Sequence, residues 1–248
     1  MIHSVSANMP SFRTVKFSSG LNVILADRTE LSTQKDTRNG VGKSTLIDII
    51  DFCLGGSSEK GKKLNIEPLQ EWVFTIEATI ASNRVKISRS VSSANRVIVE
   101  GNTKGWPDKP DYDPETSEYS FNLNRWRAVL GWSLFGLYLK NAEERYKPSY
   151  RSLFSYFVRT KPGAYLDPFK YIPQQRGIIS KVNITFLLGL SWESTSKIQE
   201  LEDTILGLNA LETGKVSGVE SIGELETRRI QLEQKTTDMA RSIESFKV

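Results

Sequence analysis

The run Asn39-Gly40-Val41-Gly42-Lys43-Ser44-Thr45 puts two glycines, a lysine and two hydroxyls within seven consecutive positions. Gly40 and Gly42 let the backbone turn tightly and bring main-chain amides against an anion. Lys43 carries an ammonium that can reach the β- and γ-phosphates of a nucleotide, and the Ser44 hydroxyl is placed to ligate a divalent cation. Thr45 lies one residue into the helix that should follow. The segment fits the phosphate-binding loop G-x-x-x-x-G-K-[ST], except that Thr37 stands where the pattern has its first glycine. That departure touches the start of the loop and leaves the cradle intact. The chemistry expected is nucleoside triphosphate binding, with ATP and Mg²⁺ as cofactors and Lys43 as the catalytic charge. The bland alternative is a glycine-rich turn that happens to precede a helix.

Such a loop must run from a buried strand into a helix. Residues 1 to 26 read as a β-hairpin: Ser11 to Phe17 alternates apolar and polar, Ser18-Ser19-Gly20 turns, and Leu21 to Ala26 is a compact apolar run of buried-strand length. Asp27 to Asp36 is polar and aperiodic and reads as a surface loop. Ser44 to Leu54 reads as an apolar helix stopped by Gly55-Gly56, with Cys53 on its core face.

Beyond it, Trp72 to Val99 alternates with period two through three segments, which predicts an antiparallel meander with one wet face. Gly101 to Ser120 reads as an irregular loop. Leu123 to Tyr138 reads as a helix, Tyr150 to Val158 as a strand or a buried helix, Lys161 to Gln175 as a loop, and Ile178 to Leu190 as a helix.

From Trp192 the character changes. Ile198, Leu201, Ile205 and Leu208 recur at 3-4-3 spacing, and a second register holds Ile222, Leu225, Leu232, Met239 and Ile243 with Arg229 and Thr236 at seam positions. The break near Gly214 to Gly218 separates the two. This heptad pattern predicts the start of a coiled coil, or else an amphipathic hairpin packed on the body.

Composition excludes several classes. The 248 residues contain no apolar run of about 18, so no membrane-spanning helix is expected. One cysteine forbids an internal disulfide framework, and His3 as the sole histidine forbids a histidine-based catalytic pair or zinc site. The start of the chain lacks the pattern of a signal peptide, and a cytoplasmic location is expected. The net charge of +4 suits a nucleic-acid partner or simply a solvated surface. The same two readings apply to the basic loop Lys60, Lys62 and Lys63. For Phe154, Tyr156 and Phe157 with Arg151 and Arg159, base stacking competes with core packing.

Asn39 to Gly56, with its Phe-Cys-Leu-Gly-Gly ending, resembles the phosphate loop and following helix of the ABC-type heads of SMC, RecN and RecF proteins. Phe12-Arg13 and Gly20 to Val23 are similar to their N-terminal hairpin, and the meander and the exit after Leu190 to their subdomain order. The segment ending Asp36-Thr37-Arg38-Asn39-Gly40 looks most like the SMC-like ATPases of three-component and Lamassu-type anti-phage systems.

The resemblance implies an α/β P-loop NTPase head lobe over residues 1–190, with an antiparallel β-subdomain, and an emerging coiled-coil arm over 191–248. It implies an ATPase whose heads dimerise on ATP, bind double-stranded DNA, and signal to partner or effector subunits in anti-phage defence. A RecN/RecF-like repair ATPase and a non-hydrolysing scaffold are the alternatives. Arg13 would approach the phosphates, and Gln174 or Gln175 would reach the Mg²⁺. No run of four apolar residues followed by Asp-Glu is present, since Val23 to Asp27 leads into the loop, and Leu54 to Ser57 matches a Ser-Gly-Gly signature only superficially. The chain is therefore expected to be the N-terminal portion of a longer protein.

Overall fold

Alternation of apolar and polar residues dominates the first half of the chain, and it builds the sheet. The computed structural model describes residues 1–25, 42–61, 64–137, 145–159, 163–212, 223, 227, 229–234 and 237–238. The strands are β1 (Ile2–Ala7), β2 (Val15–Lys16), β3 (Val73–Ile80), β4 (Asn83–Ser90), β5 (Arg96–Gly101), β6 (Asp111–Asp113) and β7 (Glu118–Asn122). They form one open sheet in the order β2-β1-β3-β4-β5-β7-β6 with every neighbouring pair antiparallel. On β3 the residues Phe74, Ile76, Ala78 and Ile80 are buried while Thr75, Glu77 and Thr79 are not. The register Ile80↔Asn83 leaves a two-residue turn, Ala81 (φ 46°) and Ser82 (φ 66°), whose positive angles match the twist of the strands.

The helices are α1 (Lys43–Cys53), α2 (Leu123–Phe135), α3 (Tyr150–Phe154), α4 (Gly177–Leu187) and α5 (Trp192–Glu212). Helix α1 lies on the apolar face of the sheet. Its Leu46, Ile49, Phe52 and Cys53 are buried with Phe74, Ile76 and Ile87, and Phe52 meets Phe74 edge-on at 6.3 Å between ring centroids. Trp126, Val129 and Leu130 of α2 complete the same core. Asn122 caps α2 by accepting from the Arg125 amide at 2.9 Å, and Gly136 ends it in the left-handed conformation at φ 66°. The core is therefore one layer of helices on one face of one sheet, with mixed α and β content.

Three expectations need correction. Residues 21–25 form no strand: Leu21 is 89% and Leu25 80% exposed, and none of the described strands pairs with them. An apolar run announces a surface that wants cover, but not whether a neighbouring strand supplies it. The N-terminal hairpin instead joins β1 to β2, with Val5 opposite Val15. Gly101 to Ser120 is not all loop, because β6 and most of β7 fall within it. Arg125 ties that segment down through Asp108 at 2.7 Å and Asp111 at 2.6 Å, and buried Trp106 packs against Phe121 and Trp126.

The chain divides into two compact units, Met1–Trp192 and Glu193–Val248. In the second, Ile198, Leu201, Ile205 and Leu208 are each more than half exposed along α5, and Leu232 is exposed too. Ile222, Leu225, Thr236, Met239 and Ile243 lie outside the described residues. Among the described residues, no helix is long and apolar enough to cross a membrane.

Candidate nucleotide site

Gly42 opens α1 as its N-cap at φ 78° and ψ 13°, a left-handed conformation that glycine alone adopts cheaply. Its carbonyl accepts from the Leu46 amide at 2.9 Å, which closes the first helical turn. Among the described residues no side chain caps this end, and the first turn carries no acidic residue. Gly42, Lys43, Ser44 and Thr45 are all exposed. The first amides of an α-helix carry about half a positive charge between them, and here no acidic side chain in the first turn offsets it. Among the described residues, a Cβ added to Gly42 would meet no atom within 4 Å. An open, uncapped, cationic helix start fits a phosphate chain, and the Ser44 hydroxyl beside it fits a divalent cation. Asn39, Gly40 and Val41 lie outside the described residues, as does Thr37.

A cavity of about 410 Å³ adjoins this helix start. Gly42, Lys43 and Thr45 line one side; Phe12, Arg13 and Trp72 line another. The structure thus brings Arg13, from the β1–β2 connection, to the same cavity as Lys43. Phe12 packs edge-on against Trp72 at 6.3 Å and against Phe74 at 6.2 Å, so that wall is a fixed aromatic surface.

The glutamines are placed elsewhere. Neither Gln174 nor Gln175 lines this cavity. Gln175 is buried, and its amide is engaged: Oε1 accepts from the Tyr171 amide at 3.0 Å and Nε2 donates to the Tyr156 hydroxyl at 3.0 Å. It shapes the loop before α4. Gln174 is exposed.

The aromatic cluster is largely scaffold. Phe154 is buried and stacks on Tyr150 at 5.3 Å, Arg151 pairs with Asp51 at 2.7 Å, and Arg159 lies over the Tyr156 ring while donating to the Ala164 carbonyl at 2.8 Å. Only Phe157, 66% exposed, stands out of it. Cys53 is fully buried, and burial pushes its thiol up to about 12, so it is core rather than nucleophile. Lys60 is exposed; Lys62 and Lys63 lie outside the described residues.

Sequence reasoning overlooked Arg89. The signal was available, because period-two alternation puts Arg89 on the inner face of β4 with Val85 and Ile87. It is 0% exposed, and burial lowers its pKa to about 10.

YydD of Bacillus subtilis (strain 168), an uncharacterized protein, is 26% identical over 240 residues, a match covering 92% of this chain and 36% of the relative. The chain therefore spans little more than a third of that relative's length. No solved structure matches. A model for an AAA domain, AAA_23, matches residues 7–239, and on that match the chain belongs to this family of SMC-like ATPases.

Proposed function

We propose that this chain holds ATP and Mg²⁺ at the start of α1 and forms part of an SMC-like ATPase. The observation that carries the reading is the helix start itself: a left-handed glycine N-cap, no side-chain cap, no acidic residue in the first turn, and Lys43 and Ser44 exposed beside it. The first-turn amides of α1 would cradle the phosphates, and Lys43 would neutralise the β- and γ-groups. Ser44 holds the cation and Arg13 reaches in from the opposite wall. Bound ATP supplies the phosphoanhydride bond, and Mg²⁺ offsets the charge that develops as it breaks. The aromatic floor of Phe12 and Trp72 offers the nucleoside an apolar surface in a cavity of about 410 Å³.

The wider reading has heads that dimerise on ATP, bind double-stranded DNA and signal to partner subunits in anti-phage defence. It rests on the resemblance of Asn39 to Gly56 to the heads of SMC, RecN and RecF proteins, whereas family membership supports the ATPase part alone. The exposed heptad positions of α5 favour a helix that pairs into a coiled coil.

The test is ATP titration of the full-length protein and its Lys43→Ala variant. Loss of at least about 100-fold in affinity is expected, since removing a buried-in-ligand charge pair costs more than about 2.7 kcal/mol. Equal affinity in the two proteins would remove the site. A gel shift with duplex DNA, with and without ATP, tests the wider reading; the absence of ATP-dependent binding at moderate salt would remove it.

A further inference from the structure

The far end of α1 is held by an unusual set of side chains. Five consecutive carbonyls, from Phe52 to Gly56, each accept a side-chain hydrogen bond. Arg89 of β4 donates from Nη1 to Phe52 and, at 2.8 Å, to Gly56. Trp126 of α2 donates to Cys53 at 3.0 Å. Tyr150 of α3 donates to Leu54 at 2.8 Å, and Arg127 of α2 to Gly55 at 2.8 Å. Arg151 closes the group through its ion pair with Asp51.

Arg89 is the central member. It is fully buried, its guanidinium lies 4.1 Å from the centre of the Phe52 ring, and its Nε reaches the Ala94 carbonyl at 2.6 Å. Among the described residues, no carboxylate binds it directly. Its charge is balanced by carbonyls and by the negative end of the α1 dipole, with Asp51 nearby and Arg127 and Arg151 opposing. A buried cation held this way is costly, and an apolar side chain of similar volume would fill the space more cheaply. What methionine cannot do is tie three main-chain segments together: the end of α1, the Gly56 turn and the β4–β5 connection.

We propose that Arg89 is a positioning residue for the phosphate site, fixing the angle of α1 so that Lys43 and the first-turn amides stand where a triphosphate needs them. This rests on the nucleotide-binding reading above. The lever is long: Lys43 precedes Phe52 by nine residues, or about 14 Å of helix. A tilt of about 4° at the clamp therefore moves the helix start by about 1 Å, and misplacement by about 1 Å is enough to cost on the order of 100-fold where groups must meet a reacting phosphate.

The experiment measures ATP affinity of the full-length protein at a temperature where circular dichroism shows each variant folded. The variants are Arg89→Met, Arg89→Lys and Lys43→Ala. Tyr150→Phe is a near-isosteric fourth that removes one clamp donor from another element and stands in if Arg89→Met does not fold. Arg89→Met should weaken ATP binding by at least about tenfold, Arg89→Lys should recover part of that, and Tyr150→Phe should weaken it by a smaller factor. Wild-type affinity in folded Arg89→Met, or in Tyr150→Phe if that is the one that folds, overturns the proposal even if melting temperature falls. In that outcome Lys43→Ala still abolishes binding and the site stands. If wild type and Lys43→Ala bind alike, the nucleotide reading fails and the proposal fails with it.

Discussion

Gly42→Ala separates the shape of the loop from its chemistry. Gly42 sits at φ 78°, where an L-residue is disfavoured by about 1–2 kcal/mol. Among the described residues its missing side chain would meet no atom within 4 Å, so no clash with them adds to that strain. Urea denaturation of the nucleotide-free protein should therefore record a loss of about 1–2 kcal/mol for Gly42→Ala. Gly42→Asn should lose less, because asparagine enters the left-handed region more readily. Nucleotide affinity answers to a different constraint. If the triphosphate occupies the open space beside Gly42, a Cβ there competes with the ligand rather than with the protein. Both variants should then bind ATP at least about tenfold more weakly, equivalent to about 1.4 kcal/mol, with the better-folded Asn variant no exception. Wild-type ATP affinity in Gly42→Asn would refute the placement of the phosphates. A stability loss well above about 3 kcal/mol in Gly42→Ala would refute the claim that the space is open.

Two further perturbations probe the core that carries α1. Burial raises the Cys53 thiol from 9.0 to about 12, so the stability this neutral thiol contributes is complete below pH 9 and is lost as pH climbs toward 12. By pH 10.5 the wild type should have lost about 2 kcal/mol that Cys53→Ala cannot lose, so denaturation curves at pH 8 and 10.5 should show the gap between the proteins narrow by about that amount. Curves that stay parallel would count against it. Gly56→Ala places a Cβ 2.6 Å from Asp51 Oδ2 and 2.8 Å from the Asp51 carbonyl. Thermal unfolding should show a cost of about 1–3 kcal/mol from overpacking, and a variant as stable as wild type would mean the Asp51–Gly56 turn can relax.

How much of this was legible beforehand depended on whether the deciding interaction was local. Helices α1, α2 and α4 lie close to where periodicity placed them; Gly55 marks the end of α1 in the sequence itself, whereas α2 stops at Gly136, short of the end that periodicity alone suggested. The β3–β4–β5 meander was legible for the same reason: its alternation runs long enough to state its period. β1 was overlooked, since its cover comes from β3, some seventy residues away, with Val5 opposite Ile76. β6, three residues long with Asp at both ends, carries no period to detect. Leu21 to Leu25 failed in the opposite sense, having the composition of a buried strand without a described neighbour to bury it. At the candidate site, Gly42 to Thr45 were singled out from type and spacing, whereas the engagement of Gln175 with Tyr156 and Tyr171 is a tertiary fact no local pattern encodes.

The two ends of α1 are treated so differently that the difference carries information. An uncapped start alone says little, for α4 also begins without a side-chain cap. What distinguishes α1 is the conjunction. The ordinary N-cap residue is extended and supplies a side-chain oxygen, as Asn122 does for α2 and Ser149 for α3. α1 has instead a left-handed glycine, an exposed first turn and a lysine at its first position. Its other end has Arg89, Trp126, Arg127, Tyr150 and Arg151 gathered on it from three separate elements. A helix whose role ended at packing would gain about 1 kcal/mol from an ordinary cap and would have no use for a buried, incompletely balanced cation. An exposed, cationic first turn opened by a left-handed glycine is worth that cost only if something anionic arrives at it, and rigid mounting at the other end matters only if its position must be held when it does.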